Sequence, residues 1–470
     1  MNVHLILLVA YSVALTAAGL WVSRFVRGSS DFFVAGRRLS ASLLFSTVLA
    51  ANIGAGTTVG ATGLAYQQGI SAWWWNGAAA IGSVGLAFVI GPRIWRLAKE
   101  HNLYTAGDYL EMRYGPAVRG IVASLLWVGT LAILAGQLIA GAAVLTVVAD
   151  IPKPMGAIIG GVLMTVYFVA GGLLSSAWVN VIQLVVLLAG FLAAIPFLSG
   201  SLGGWQGITA VPPPHPGYWD FLYSTGSGMS GWAMIAILTP SFMISPGLVQ
   251  KVYGAESERA VRVGVGVQAV AQMLFAFLPV FFGIAAFAAG MKIDSPNLVL
   301  PALLAEKLPV LLGALGLAAV FSAEVSTCDA ILFMLSTSLS KDLYKRFINP
   351  AANDARVLLV ARLAALAGGI AGVLLAIQLE TIVGALGIFY SLVGVSLFVP
   401  LLGGLYTRRP GTAAALASIV AGIATLLFFV YGRGGRGFGL LNPNLLAIGA
   451  AAIAYVIVTA ARPSQTRRGT

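Results

Sequence analysis

Apolar runs of about 20 residues recur along the whole chain and are separated by short clusters of charge. An α-helix rises about 1.5 Å per residue, so each run is long enough to cross the hydrocarbon core of a bilayer, which is about 30 Å thick. Of the 470 residues, 59% are apolar and 9% are charged, which leaves too little polar surface for a soluble protein of this length. The chain is therefore predicted to be an all-α, multi-pass membrane protein.

These runs predict about thirteen transmembrane helices, numbered here in chain order. They lie near residues 3–24, 41–66, 70–92, 120–148, 154–173, 176–199, 229–250, 263–290, 308–340, 357–378, 381–406, 411–431 and 443–461. We expect the first helix to be retained, because its apolar run is longer than that of a signal peptide and has no basic region before it.

The net charge of +12 is divided unevenly between the two sides of this arrangement. Alternate connections hold 22 of the 27 Lys and Arg residues: Arg24, Arg27, Arg37, Arg38, Arg93, Arg96, Lys99, Arg113, Arg119, Lys251, Arg259, Arg262, Lys341, Lys345, Arg346, Arg356, Arg362, Arg408, Arg409, Arg462, Arg467 and Arg468. The others are Lys153, Lys292, Lys307, Arg433 and Arg436. The positive-inside rule places the N-terminus outside the cell membrane and the C-terminus in the cytoplasm. The charge therefore reflects topology, and we expect a lipid bilayer rather than nucleic acid as the partner.

Two of the predicted helices carry sequences that break helices. Helix 2 contains "ANIGAG", and helix 7 contains "LTPSFMISPG" with Pro240 and Pro246. Five helices separate the two breaks, so helices 2–6 and 7–11 are candidates for two halves of opposite topology. Paired interrupted helices indicate a binding site near the middle of the membrane, since unwound backbone is tolerated there only where it is buried in protein or lines a cavity. The alternative is that Gly and Pro merely kink packed helices.

Helix 9 carries the two acidic residues that lie well inside a predicted span, Glu324 and Asp329. It also holds Ser322, Ser326 and Ser336, which share one face of the helix with Asp329. Carboxylates inside a membrane usually mark the path of an ion or a proton. The alternatives are that these hydroxyls bond back to their own helix, and that Asp329 is a protonated structural residue.

Several segments resemble the landmarks of one family of transporters. They are "DFFVAGRRLS" after helix 1, "LAANIGAGTTVGATGLAYQQGI" in helix 2, "TAGDYLEMRYG" after helix 3, "GGLLSSAWVNVIQ" leading into helix 6, "VQKVYGAESERAVRVG" after helix 7 and "SAEVSTCDAILFMLSTSLSKDLYKRF" at the end of helix 9. The chain resembles the sodium:solute symporter family in the order and spacing of these segments. The resemblance implies a fold similar to the leucine transporter, with two inverted five-helix repeats, and sodium-coupled import of a small organic solute by alternating access.

The same resemblance implies a domain organisation and two sites. A single domain over 1–470 would hold the first helix and a cytoplasmic link (1–40), the two repeats (41–200 and 229–406) and two further helices (411–461). The transported sodium ion would bind the carbonyls of Ala50, Ile53 and Ala323 and the side chains of Ser326 and Thr327. The solute would contact Asn52, Thr57, Asn76, Ser241, Ser245 and Tyr390. Asn52 is expected to point towards the solute or towards the acids of helix 9.

The chain departs from the family pattern at positions that bear on coupling. Many members have Thr-Asp where this chain has Val179–Asn180, and that Asp helps to bind a second sodium ion. We therefore expect one sodium ion per solute, with Asn180, Glu324 and Asp329 as candidate coupling residues. Asp329 could compensate by facing Asn180. Lys251 replaces an Arg at what is expected to be a cytoplasmic turn.

The expected solute follows from the side chains predicted to lie near the middle of the membrane. Sugar-transporting members of the family carry long polar side chains where Thr57 and Asn76 stand, which disfavours a large polyol. No Lys or Arg is predicted at this depth, so an anionic group would rely on the N-termini of half-helices, on sodium and on hydroxyls. A small carboxylate or an amino-acid-like solute fits this environment best.

Three other functions compete with sodium symport. An enzyme is disfavoured, because His4, His101 and His215 all fall at span ends or in loops and form no metal-ligand or nucleophile–base pattern. A channel would need a continuous polar lining, whereas polarity here is concentrated at two breaks and one helix. Proton coupling through Asp329 or Glu324 is the third alternative.

Overall fold

The computed structural model describes residues 3–23, 37–224, 231–407, 411–438 and 441–461. Within the described helices, the side chains of 16, 18–20, 22–23 and 166–179 lie outside the description. So do seven of the basic residues used to predict topology, namely Arg24, Arg27, Arg408, Arg409, Arg462, Arg467 and Arg468. The side chains of Val179 and of most of the segment "GGLLSSAWVNVIQ" are likewise not described.

The described chain is almost entirely helical. Its α-helices are α1 (Val3–Ser23), α2 (Ala41–Asn52), α3 (Ala61–Gln68), α4 (Trp73–Gly85), α5 (Gly91–Glu100), α6 (Ala106–Tyr114), α7 (Pro116–Ala149), α8 (Lys153–Ser201), α9 (Gly204–Ala210), α10 (Ile235–Ile244), α11 (Pro246–Tyr253), α12 (Glu258–Phe275), α13 (Phe277–Ala288), α14 (Val299–Lys307), α15 (Val310–Thr337), α16 (Asp354–Gln378), α17 (Ile382–Tyr406), α18 (Thr412–Leu427) and α19 (Pro443–Ala460). Short π-helical segments lead into α3 (Gly56–Gly60), join α4 to α5 (Leu86–Ile90), and follow α15 (Ser338–Ile348) and α18 (Phe428–Gly432).

The predicted fold class is confirmed. No strand is found in the ranges that the structure describes, and ten helical segments there are long and apolar enough to cross a membrane. The predicted number of thirteen helices is not confirmed, because the residues predicted as helices 5 and 6 form the single helix α8 of 49 residues. The two residues between those predicted spans, Leu174 and Ser175, bring neither a proline nor a charge that would end a helix. At 1.5 Å per residue α8 is about 74 Å long, more than twice the thickness of a hydrocarbon core.

Both predicted helix breaks are present. The first separates α2 from the π-helical segment that leads into α3, and residues 53–55 between them are not helical. The second lies at Ser245, which has an extended ψ of 124° between α10 and α11. Pro246 explains this break, because a proline disfavours helical geometry in the residue before it. Pro240 does not break the chain and lies inside α10.

Helix α15 lies at the centre of the molecule. It packs against α7, α8 and α16, and also against α2, the first half of the broken helix. Helix α11, the second half of the other broken helix, contacts both α2 and α15. The two breaks and the polar face of α15 are therefore brought to one place.

Candidate functional site

The break after α2 frees two backbone carbonyls from the helix. In a continuous helix the carbonyls of Ala50 and Ala51 would accept from the N–H groups of Gly54 and Ala55. Instead, the N–H of Gly54 donates to Thr57 Oγ1 at 2.7 Å, and the N–H of Ala55 donates to Gln137 Oε1 at 2.8 Å. The side chains of Thr57 and Gln137 therefore stabilise the break, and they leave oxygen atoms at the end of α2 available for other partners.

Hydroxyl groups of α15 meet these freed carbonyls. Ser326 Oγ donates to the carbonyl of Ala50 at 2.9 Å and to that of Ala323 at 3.0 Å. Thr327 Oγ1 lies 3.4 Å from the carbonyl of Ala50 and 3.5 Å from that of Ala51. Four of the residues that supply these oxygens are buried, namely Ala50, Ala323, Ser326 and Thr327. The structure thus gathers carbonyl and hydroxyl oxygens in a buried place between two helices.

Ile53 and Gly54 complete the wall of this oxygen cluster. Ile53 is buried and is the first non-helical residue after α2, with φ −96° and ψ 89°. The hydroxyl contacts that the structure describes run from α15 to Ala50 and Ala51 rather than to Ile53. Gly54 faces α15 so closely that a Cβ added to it would lie 2.3 Å from Thr327 Oγ1. Any other residue here would push the two helices apart.

A cavity opens beside the oxygen cluster and touches both helix breaks. Its wall includes Asn52, Thr57, Ser245, Thr327 and Tyr390, together with apolar side chains such as Phe242, Leu386 and Phe389. Four of the six residues expected to contact the solute are among them. The other two stand behind this wall. Asn76 donates to the carbonyl of Thr57 at 3.1 Å, and Ser241 donates to the carbonyl of Tyr390 at 2.7 Å.

Asn52 does not reach the acids of helix 9. Its amide Nδ2 donates to Gln272 Oε1 on α12 at 3.0 Å and lies 3.4 Å from Ser83 Oγ on α4. The expectation that it points towards those acids is therefore not met, whereas its place in the cavity wall agrees with the other half of the expectation. Asn52 lies two residues after Ala50 on α2, about 200° further round the helix, so its side chain is directed away from α15 and towards α12.

The three candidate coupling residues have different surroundings. Glu324 is fully buried, and its Oε1 lies 3.5 Å from Thr58 Oγ1 beside the first break. Asn180 donates to Thr47 Oγ1 at 3.3 Å. Asp329 is buried on α15 and interacts electrostatically with Lys251.

Lys251 departs from the expectation that it lies at a turn. It lies within α11, is 2% exposed and lines the cavity. A buried basic side chain therefore borders the cavity, which the sequence does not predict. Helix α11 continues two residues beyond Lys251, so the chain is still helical there and the side chain points between α2 and α15.

A second cavity leads from this site towards a cluster of charges. Met334 lines both cavities, and the second one ends at Thr105 and Asp342. Arg119, at the start of α7, contacts Asp108 at 2.8 Å, Glu111 at 2.9 Å and Asp342 at 2.7 Å. We name this group of charges, together with Thr105, the Arg119 cluster. Its members are Thr105, Asp108, Glu111, Arg119 and Asp342. It joins α6 and α7 to the π-helical end of α15.

Four functional candidates were not found from the sequence. In the sequence, Lys251 and Thr47 fall in a predicted turn and a predicted apolar helix, and Gln137 and Gln272 fall inside long predicted spans. A signal existed for the glutamines, since each is a strongly polar residue within a helix that is otherwise largely apolar. Such residues in a membrane usually serve another polar group, as both do here.

Comparison with known proteins gives consistent results. Residues 32–422 match the Sodium:solute symporter family. The Sodium/glucose cotransporter of Vibrio parahaemolyticus is 26% identical, covering 90% of this chain and 84% of that protein. The High-affinity proline transporter PutP of Bacillus subtilis (strain 168) is 24% identical, covering 85% and 86%. A solved structure of a Na⁺-coupled sialic acid symporter in a substrate-bound outward-open state superposes with a TM-score of 0.83 over 100% of both chains, at 18% identity.

Proposed function

This chain belongs to the sodium:solute symporter family, and on that premise we propose that its sodium ion binds at Ala50, Ile53, Ala323, Ser326 and Thr327. The protein is a sodium-coupled solute symporter, a multi-pass membrane protein with a leucine-transporter-type fold. One observation carries the proposed site: the hydroxyl of Ser326 meets the carbonyls of Ala50 and Ala323 at hydrogen-bond distance.

The chemistry of this oxygen cluster suits a monovalent cation. Carbonyl and hydroxyl oxygens bring partial negative charge without a full carboxylate, so the ion can leave again in each cycle. A hydroxyl oxygen has two lone pairs and a proton that rotates. With sodium bound, the protons of Ser326 and Thr327 would turn away from Ala50, and their lone pairs would face the ion.

For the solute, we propose a small carboxylate or an amino-acid-like molecule. The first turns of two half-helices face the cavity, with Gly56 and Thr57 at one break and Ser245 and Gly247 at the other. Helix N-termini carry partial positive charge, which favours a carboxylate. The remaining wall is largely apolar and suits a short hydrocarbon portion.

We further propose that the N-terminus lies outside the cell, that the C-terminus lies in the cytoplasm, and that 41–200 and 229–406 are the two repeats of one domain. The distribution of Lys and Arg supports the orientation. The equivalent positions of the two helix breaks support the repeats. Since the family and these relatives are transporters, we propose transport without catalysis.

Uptake into proteoliposomes tests this function. A panel of short monocarboxylates and amino acids, with a hexose for comparison, is offered under an inward sodium gradient, under an inward proton gradient without sodium, and with equal sodium on both sides. We expect a carboxylate or amino acid to accumulate above its external concentration under the sodium gradient alone. Accumulation driven by protons without sodium, or equilibration without accumulation, would contradict the proposal.

A further inference from the structure

A lysine lies inside the protein next to the proposed sodium site. Lys251 is 2% exposed and lies on α11, between α2 and α15. Removing an ammonium group from water is costly unless a nearby charge and hydrogen bonds compensate for the loss of hydration. The groups that stabilise the buried charge of Lys251 therefore indicate the role of this residue.

The ammonium group of Lys251 has partners on two elements that flank the sodium site. Its Nζ donates to Thr47 Oγ1 at 2.8 Å, and Thr47 lies three residues before Ala50 on α2. The amide of Asn180 on α8 donates to the same hydroxyl oxygen at 3.3 Å. Across from them, Asp329 lies two residues after Thr327 on α15, the helix that packs against α11, so the buried charges of Asp329 and Lys251 act on each other across this contact.

A buried carboxylate beside a sodium site is stabilised by a proton, by hydrogen bonds or by a cation. Where a cation serves, it is either a transported ion or a charge that belongs to the protein. Lys251 is a cation of the second kind, because it is tethered to α11 and stays with the protein through every cycle.

We propose that Lys251 is a resident cation that neutralises Asp329, held in place by Thr47, so that Asp329 does not recruit a second sodium ion. The protein then carries one sodium ion per solute, bound at the Ala50–Ser326 site. This inference rests on the sodium site proposed above. It also gives Asn180 a positioning role, since its amide shares the Thr47 hydroxyl with the lysine.

The test uses three variants: Lys251→Met, Asp329→Asn and the double variant. Removing one of two opposite buried charges leaves the other without compensation, whereas replacing both by neutral residues is well tolerated. We expect each single variant to lower the initial rate of solute uptake at least about tenfold, and the double variant to recover to within about threefold of the wild type. Lys251→Arg, which keeps the charge, is the matched control and should retain most of the uptake.

The number of sodium ions moved per solute separates this role from a purely structural one. Simultaneous uptake of radioactive sodium and solute should give a ratio of one for the wild type, for Lys251→Arg and for the double variant. In the residual activity of Lys251→Met the ratio should rise towards two, because Asp329 then attracts a second ion. Thermal unfolding in detergent shows which variants are folded.

Three results would overturn the inference: a ratio of two in the wild type, a ratio in Lys251→Met that stays at one, or a double variant no better than either single one. A separate variant tests the proposed sodium site on which this inference rests. If that site is assigned wrongly, Ser326→Ala will keep the wild-type dependence of uptake on sodium concentration, whatever the Lys251 variants do.

Discussion

Ser326 is the residue at which the proposed sodium site is tested most directly, because its hydroxyl contacts carbonyls from both helices. Replacing Ser326 by Ala removes one oxygen ligand. We expect the sodium concentration for half-maximal uptake to rise roughly tenfold, which corresponds to about 1.4 kcal/mol of binding free energy. Thr327→Ala should change it in the same direction. The measurement is the initial rate of solute uptake as a function of external sodium.

Ser336 provides the matched control on the same helix. Its hydroxyl donates to the carbonyl of Phe333 at 2.9 Å and so serves its own helix. Ser336→Ala should therefore keep the wild-type sodium dependence. If Ser326→Ala and Thr327→Ala behave like Ser336→Ala, neither hydroxyl binds the ion.

Gly54 permits the close approach of the broken helix to α15. In Gly54→Ala, the new Cβ would lie 2.3 Å from Thr327 Oγ1 and 2.7 Å from Gln137 Oε1, so the break must shift. We expect sodium-driven uptake to fall by about tenfold or more, the effect of an overpacking strain of 1–3 kcal/mol. Gly449→Ala is the control, because a Cβ there meets no atom within 4 Å. Equal uptake by the two variants would show that the contact at Gly54 does not matter.

At the residue scale, two motifs predicted which residues are neighbours in the structure, whereas a general rule misplaced a lysine. "AANIG" and "SAEVST" led to Ala50, Ser326 and Thr327, and the structure brings these residues together. Lys251 was missed because the assignment of topology moved every basic residue to a connection. The positive-inside rule is statistical, and it does not predict the position of a lysine that has a buried acid on the neighbouring helix.

At the scale of elements, the Arg119 cluster fastens the end of α15 to α6 and α7. Arg119 is largely buried and contacts three carboxylates, and Arg119→Gln would leave these acids without their shared cation. We expect a loss of stability of about 3 kcal/mol, since breaking a buried ion pair from one side is strongly destabilising. Thermal unfolding in detergent measures it as a lower melting temperature.

Arg262 offers the comparison for this experiment. It pairs with Glu258 at 2.6 Å on the exposed face of α12, and its side chain is 53% exposed. Exposed pairs of this kind contribute less than about 1 kcal/mol, so Arg262→Gln should leave the melting temperature almost unchanged. A similar melting temperature for Arg119→Gln and Arg262→Gln would mean that the Arg119 cluster does not hold α15.

Element prediction from the sequence depended on what ends a helix. The break at Ser245 was predictable because Pro246 forces it, and the break after Asn52 because glycines follow. Helices 5 and 6 were separated only by a window of lower hydropathy, and helical hydrogen bonding continues through it in α8. Pro240 belongs to the same motif, but it is the sixth residue of α10 and the helix continues through it, so the break lies at Ser245 alone.

For the whole molecule, the proposed orientation can be measured with single cysteines. The one natural cysteine, Cys328, is buried and gives an unreactive background. Lys292 and Ala351 are exposed and lie on connections assigned to opposite sides. A membrane-impermeant maleimide should label Lys292→Cys in intact cells and Ala351→Cys only after permeabilisation. The reverse pattern would invert the topology.

Met334 has a consequence for how tightly the transporter can be sealed. This side chain borders both cavities, and a Cβ on Gly247 would lie 2.8 Å from its sulfur, so the thioether rests on bare backbone at the start of α11. An unbranched thioether changes rotamer at little cost. One flexible side chain therefore forms part of the wall between the two cavities, so how well that wall seals depends on a single rotamer as well as on the packing of the helices.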